Sequence, residues 1–308
     1  MYFPYLRGKV FELEALTEVS QNVFSNTVPI IEPINVTTRG KGLYRTIVSR
    51  LAPFILIMNP VHLTRNPLTT AAVQDLVDTT LQNHTSLNLG FIIDENFNLG
   101  RLSAFLASNP TRAKSLIFRH SPFPAEIQSI QTAIITHPVT YIIFDDRTVD
   151  NPTRNAFANH SGRVLITDGF QRKQRNADYR AASSFASNFP TWRNNGWAGI
   201  GDYLTMGDHV NDGGGGAYVI TLHITRSAQN GITTHHFSST YQPTVQGLAA
   251  PKFAEANALL VTSPDFVSLN SSGLILYRSW HNTQHNPQLG AAKKASMMHH
   301  IELMSTLV

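Results

Sequence analysis

Short apolar segments recur along most of the chain and carry its clearest structural signal. Several of them run without a polar interruption, such as 54–58 and 141–144. A strand with one face in water alternates apolar and polar residues, whereas a parallel strand covered on both faces does not. The pattern therefore predicts eight buried parallel strands, at 28–34, 53–59, 88–94, 114–119, 140–146, 162–168, 197–203 and 217–224.

Helical spacing of apolar residues fills several of the intervals between these strands. It is found at 67–84, 99–108 and 124–136, while an amphipathic stretch at 9–25 precedes the first strand. Alternating strands and helices are typical of an α/β protein with a parallel sheet. The stretch 151–161 has room for one helical turn at most, so we expect a short fifth crossover and an irregular barrel there.

The length of the chain favours one large domain over two small ones. Its 308 residues are close to the roughly 250 of a single (β/α)8 barrel. We predict one TIM-like barrel domain over 1–308, with a helical lead-in at 1–26, eight strands at 28–224 and a C-terminal segment with helices at 225–308. The alternative is a doubly wound open sheet, which binds its ligand at the point where the strand order reverses.

Composition excludes several kinds of chemistry. The chain has no cysteine, so a metal must bind through His, Asp or Glu, and disulfides and thiolate nucleophiles are excluded. The net charge of +4 permits an anionic ligand, but it falls short of the dense basic stripe of proteins that coat duplex nucleic acid. No secretory signal and no apolar run of membrane-spanning length is found, so we expect a cytoplasmic protein.

Every predicted strand ends in a polar residue. In a barrel the carboxyl ends of the strands meet at one mouth, where catalytic groups come from several strands at once. Helix capping also places Asp and Asn after strands, but it does not explain Arg119 or His223. The strand-end residues are Glu32, Asn59, Asp94 with Glu95, Arg119, Asp145 with Asp146, Asp168, Asp202 and His223.

Converging carboxylates repel one another, so they predict a bound cation or a neutralising arginine. Oxygen ligands suit Mg²⁺ or Mn²⁺, and such a metal activates water or polarises a phosphoryl or carbonyl oxygen. The alternative is a structural network in which Arg119 pairs with its neighbouring carboxylates. The predicted metal ligands are Asp94, Asp145 and Asp202. The predicted catalytic residues are Glu32, Asp168, Asp202 and His223.

Basic and amide side chains near the strand ends are the candidates for substrate binding. Arg119 is predicted to bind an anionic group, and Arg172 and Lys173 follow the sixth predicted strand, where they would hold a phosphate. A charge run is also typical of a solvated surface. The glycines at 213–216, preceded by Asp208 and His209, predict a flexible loop, either a plain surface loop or a lid over the mouth. The predicted substrate-binding residues are Asn59, Arg119, Arg172 and Lys173.

Both ends of the chain carry motifs that resemble the beta-protein family of phages and bacteria. The opening MYFPYLRGK is followed by ELEAL at 12–16 and VPIIEP at 28–33, and the chain closes with GAAKK at 290–294 and MHHIE at 298–302. The middle resembles the family through GDY at 201–203, and Lys293 stands where the family tends to have an aromatic residue. The resemblance implies a phage-defence or mobile-element role beside a nuclease-like partner protein. The residues it emphasises are Glu32, Asp202, Lys294, His299 and His300.

Two functions are compatible with these features. The first is a metal-assisted barrel enzyme, such as a hydrolase or phosphodiesterase, that acts on a phosphate-bearing or other anionic substrate, either a small molecule or a nucleic acid. The second is a non-catalytic recognition or effector subunit of a phage-defence or phage-encoded complex. The polar strand ends favour the enzyme, whereas the resemblance favours the subunit, and a mouth closed by Arg–carboxylate pairs would also favour the subunit.

Overall fold

In the computed structural model, eight parallel strands close into a barrel. The structure describes residues 1–50, 52–61, 68–186, 191–209, 218–229, 231–240 and 249–308. The barrel strands are β1 (Tyr2–Leu6), β2 (Ile30–Ile31), β3 (Phe54–Ile57), β4 (Leu87–Ile93), β5 (Ala113–Phe118), β6 (Tyr141–Asp145), β7 (Arg163–Thr167) and β9 (Gly199–Asp202). Because β1 pairs with β9, the sheet is closed, which confirms the predicted α/β barrel and excludes an open sheet.

One barrel strand differs from the prediction. All five residues of β1 are buried, although the sequence pattern assigns this stretch to a helical lead-in. The predicted strand at 217–224 instead leads into β10 (Thr221–Ala228), which forms an antiparallel sheet with β11 (Gly231–Ser238) and β8 (Ala182–Ala186). Burial alternates over the first residues of β10, as in a sheet with one covered face. The strand number is therefore right, and the identity of one strand is wrong.

The helices of the described residues cover the outside of the barrel and of the small sheet. Four of them begin with a Thr, Asn or Asp side chain that accepts a hydrogen bond from a first-turn amide, at Thr37, Thr69, Asn98 and Asp150. The six-residue helix Asn151–Ala156 confirms the predicted short fifth crossover. The helices are α1 (Val10–Glu18), α2 (Thr38–Ser49), α3 (Thr70–Thr80), α4 (Leu99–Ala107), α5 (Pro124–Thr136), α6 (Asn151–Ala156), α7 (Ala249–Thr262), α8 (Ser272–Asn282) and α9 (Leu289–Leu307).

Alternation along the barrel strands separates an inner apolar core from an outer one. Inward-facing side chains such as Ile57, Ile117 and Ile143 fill the barrel, while neighbours such as Leu56 pack outward against the helices. The same alternation directs Tyr203 into the barrel core, whereas Asp202 lies in the outer layer beside α9. None of the helices in the described residues has both the length and the apolar composition needed to cross a bilayer.

Candidate functional site

Three arginines converge on one carboxylate at the carboxyl ends of the strands. Arg7 follows β1, Arg119 follows β5, and Arg147 lies just beyond β6; we call them the arginine cage. Arg7 Nη2 lies 2.5 Å from Asp208 Oδ1, and Arg147 Nη2 lies 2.7 Å from Asp208 Oδ2. Arg119 Nη2 also donates to Asp208 Oδ2. Parallel strands thus bring together cations that are far apart in the sequence.

The ring of Tyr203 lies beneath all three guanidinium groups. The Cζ atoms of Arg7, Arg119 and Arg147 lie 5.8, 5.8 and 5.1 Å from the ring centre, within the range of cation–π attraction. The ring comes from the residue directly after β9 and is almost completely buried. The Tyr203 ring therefore stabilises the three guanidinium groups on the side that faces the barrel core.

Two buried carboxylates lie beside the arginine cage, each bonded to a tyrosine. Tyr5 donates to Glu32 Oε2 at 2.5 Å, and the amide of Val61 donates to Glu32 Oε1 at 2.8 Å. Tyr203 donates to Asp145 Oδ2 at 2.8 Å, and Arg147 Nη2 lies 2.7 Å from the same oxygen. Burial and the neighbouring carboxylate raise the pKa of Tyr5 and of Tyr203 well above its usual range. Both phenols therefore stay protonated as donors.

The mouth comprises the arginine cage, four carboxylates and two tyrosines. Asp168 Oδ2 accepts the Asp208 amide at 2.9 Å and lies 3.3 Å from Arg147 Nη1, while Arg119 Nη1 is 3.9 Å from Glu32 Oε2. Four of the predicted site residues are thus brought together, and two arginines, two tyrosines and a loop carboxylate join them. Its members are Tyr5, Arg7, Glu32, Arg119, Asp145, Arg147, Asp168, Tyr203 and Asp208.

Asp202, predicted as both a catalytic residue and a metal ligand, lies outside the mouth. Its side chain is buried between the barrel and α9, where it accepts from Tyr2 at 2.8 Å and contacts His300 Nε2 at 3.1 Å. His300 Nδ1 in turn lies 2.8 Å from the Thr225 hydroxyl on β10. The expected position at the mouth is not found, because the last residue of β9 points outward and the one after it points in. The Asp202–His300 pair joins the barrel, α9 and the small sheet.

His223, predicted to act at the mouth, lies in the small sheet. Its Nδ1 is 2.8 Å from Nδ1 of His236 on the neighbouring strand, and His236 Nε2 contacts the Ser183 hydroxyl at 2.9 Å. Burial, then His236 and Lys293, lower the pKa of His223 to about 3. Burial, then His235 and Lys173, lower that of His236 to about 4. The mistake follows from taking β10 as a barrel strand.

The neutral histidines predict a loss of stability in mild acid. Burial also lowers the pKa of His299 to about 4, so three histidines stay neutral in the fold but take up protons below about pH 6.5 when unfolded. Their contribution is present above that pH and is lost as the pH falls toward 4, by up to about 1.4 kcal/mol per pH unit for each histidine. Urea unfolding of the wild type and of His223→Leu measures it.

His223→Leu should show the smaller loss between pH 6.5 and 4.5, because one titrating group is gone. The two proteins should have parallel stability curves between pH 7.5 and 8.5, because His223 binds no proton there in either state. Equal slopes in the acid range would contradict the prediction.

The remaining predicted residues also lie apart from the mouth. The amide of Asn59 exchanges two hydrogen bonds, of 2.9 and 2.8 Å, with the backbone of Ile92 and so extends the β3–β4 pairing. Asp94 accepts from the Asn96 amide at 3.1 Å and forms a turn after β4. Arg172 and Lys173 are exposed on the loop after β7, and Lys173 lies near His236. The side chains of Asn59 and Asp94 therefore stabilise the local backbone through hydrogen bonds.

The emphasised residues near the C-terminus pack α9 against the rest of the protein. Lys294 Nζ lies 2.7 Å from Glu18 Oε1, and His299 bonds Ser271 and the Thr225 carbonyl, both at 2.7 Å. Together with the contacts of His300, these contacts give the closing motif a structural role, which is to hold α9 in place. The glycines at 213–216 lie outside the described residues.

The carboxylates of the mouth are bonded to donors of the protein in this arrangement. Each of the four carboxylates already accepts hydrogen bonds from an arginine, a tyrosine or a backbone amide. Across the part of the chain that the structure describes, no three His, Asp or Glu side chains are placed to hold a metal ion. The divalent metal stays a prediction, and no catalytic step is derived from it.

Comparisons of this chain with protein-family models, with curated proteins and with solved structures found no match. The resemblance to the beta-protein family therefore stays an expectation from the sequence motifs. The arrangement of the mouth is the basis for a functional proposal.

Proposed function

We propose that this protein is an enzyme that acts on a phosphate-bearing or other anionic substrate at the mouth of the barrel. The observation that supports the proposal is the convergence of Arg7, Arg119 and Arg147 on a single carboxylate. Guanidinium groups bind phosphate and carboxylate through parallel N–H donors, and barrel enzymes act at this end of their strands. The three arginines would bind the anionic group of the substrate.

Glu32 is the proposed general acid or base. Its side chain is 0% exposed, and the Tyr5 hydroxyl and the Val61 amide fix both of its oxygens. Arg119 lies close enough to place a bound anion beside it. A positioned carboxyl group of this kind contributes about 10²-fold or more to a proton transfer. Asp145 and Asp168 orient Arg147 in this proposal, and a bound Mg²⁺ or Mn²⁺ remains a separate prediction.

Basic residues that follow two members of the mouth in the sequence support an anionic substrate. Arg172 lies close enough to Lys293 to lower the pKa of its ammonium group, after the effects of burial and of Lys9. Lys9 follows Arg7 closely in the sequence, and Arg172 follows Asp168, so this basic group adjoins the mouth along the chain. Such a field attracts anions and raises their rate of association.

The test is turnover of a panel of phosphomonoesters and phosphodiesters, with and without Mn²⁺, by the wild type and by Glu32→Gln. We expect one ester class to be hydrolysed, and we expect Glu32→Gln to lose about 10²-fold in kcat/KM because it cannot exchange a proton. The matched control is Glu95→Gln, which alters an exposed glutamate after β4. A panel without turnover, or full activity in Glu32→Gln, would refute the proposal.

The second candidate is a recognition or effector subunit in phage defence, with a nuclease-like protein as its partner. The ion pairs that close the mouth favour it, because Asp208 occupies the donors of the arginine cage. Copurification of the chain with the product of a neighbouring nuclease-like gene tests it. This candidate requires that Glu32→Gln keep the biological effect of the complex.

A further inference from the structure

Asp208 fills the arginine cage from a loop rather than from a strand. It follows the 3-10 turn at Leu204–Met206, and its amide bonds Asp168 Oδ2 at 2.9 Å. Gly207 before it has φ +68°, and Leu204 has φ +52°, a conformation that non-glycine residues rarely adopt. The carboxylate is therefore delivered by a strained loop and held by contacts with three arginines.

Asp208 leaves part of the arginine cage unused. Its Oδ1 accepts from Arg7, while its Oδ2 is shared by Arg119 and Arg147. Arg7 Nε is buried and has no hydrogen-bond partner among the described residues. An unpaired buried donor is unfavourable, so a ligand that also accepted from Arg7 Nε would gain a hydrogen bond that Asp208 does not make. Arg7 Nε is therefore a donor of the arginine cage that Asp208 leaves unpaired.

The formal charge of the mouth limits which ligand can take the place of the Asp208 carboxylate. Without Asp208, three guanidinium groups face the three remaining carboxylates of the mouth, which are Glu32, Asp145 and Asp168. A singly charged ligand then restores the formal charge of −1 that the mouth has with Asp208 in place, whereas a dianion would make it −2. A phosphodiester combines one charge with four oxygens around phosphorus.

We propose that the arginine cage is a phosphodiester subsite and that the Asp208 carboxylate occupies it until a phosphodiester displaces it. This inference rests on the proposed function, for which it names the substrate class. An occupied subsite lowers the apparent affinity for the ligand by the fraction of molecules in which the carboxylate is bound. Removing the carboxylate should therefore tighten phosphodiester binding.

The experiment is a titration of dimethyl phosphate, followed by calorimetry, into the wild type, Asp208→Ala and Asp208→Asn. We expect Kd to fall about tenfold in Asp208→Ala, as for a competitor bound in about nine of ten molecules. Asp208→Asn removes the charge but retains the shape of the side chain, so it replaces Asp208→Ala in the titration if the alanine variant does not fold. The control, Asp265→Asn, removes a carboxylate paired with Arg226 on the small sheet and should bind as the wild type does.

Two further ligands test the assignment in the folded Asp208 variant. Acetate has the charge of the diester but a planar shape, and inorganic phosphate has the shape but more charge, so both should bind more weakly. Equal binding of acetate would overturn the assignment to a phosphodiester. If a short single-stranded oligonucleotide binds more tightly than dimethyl phosphate, the natural ligand is a nucleic acid. If the two bind with equal affinity, the natural ligand is a small-molecule phosphodiester.

An unchanged or weaker affinity for dimethyl phosphate in both Asp208 variants would overturn the inference. Ester turnover together with that result would leave the proposed function standing. Conversely, tighter binding without turnover of any ester would leave the subsite standing and refute the enzyme.

Discussion

Gly201→Ala should prevent the barrel from closing. An added Cβ at this position would lie 2.1 Å from the backbone oxygen of Phe3, and that oxygen belongs to β1, which pairs with β9 here. Backbone on both strands is fixed by the ladder, so neither can move aside without breaking the pairing. We expect a loss of more than about 4 kcal/mol of unfolding free energy, seen as insoluble protein or as loss of the cooperative urea transition.

The matched control is Gly42→Ala in the middle of α2. An added Cβ there meets no atom within 4 Å, and alanine has the higher helix propensity. This variant should be more stable than the wild type by about 0.5–1 kcal/mol. A soluble Gly201→Ala protein with the wild-type urea midpoint would show that β1 and β9 do not close the barrel in this way.

Asp202→Ala should destabilise the protein strongly without altering the mouth. The change removes the acceptor for Tyr2 and the partner of His300, and both of these side chains are completely buried. Breaking one partner out of a buried pair is expected to reduce the unfolding free energy by about 3–5 kcal/mol. Urea unfolding measures the loss.

Two variants separate this structural role from a catalytic one. Asp202→Asn keeps an acceptor oxygen and should be less destabilised, while retaining the affinity of the wild type for dimethyl phosphate. Asp75→Asn changes an exposed carboxylate paired with Lys41 and should have little effect on stability. Loss of ligand binding in a stable Asp202→Asn protein would instead place Asp202 in the site, as the sequence analysis predicts.

Much of the barrel was predictable because its strands are short, apolar and separated by helical patterns. The predicted segments at 28–34, 53–59 and 88–94 each contain a barrel strand, β2, β3 and β4. The eighth segment failed because strand propensity does not say which sheet a strand joins. β1 contains Pro4 and is followed by Gly8, and both residues interrupt the apolar pattern expected of a strand. Pairing with β2 and β9 nevertheless buries β1 completely.

The site was predictable only in part. The sequence determines that polar residues follow the strands, and this was sufficient to identify Glu32, Arg119, Asp145 and Asp168. Arg7 is missed because its strand is missed, and Arg147 because it lies beyond the strand end, although its long side chain reaches back to Asp145. A search for arginines within two residues of each predicted strand end would have found Arg147, whereas Arg7 could be found only once β1 was recognised as a strand.

The sequence by itself determined the fold class, the number of barrel strands and the polar character of their ends. Only the tertiary structure decided which of these polar residues meet. The side chain of Asp202 points to α9 and that of Tyr203 into the barrel, because successive side chains of a strand point to opposite faces. Asp208 reaches the arginine cage through a turn whose direction depends on the closed barrel, and hydrophobic periodicity carries no information about that direction.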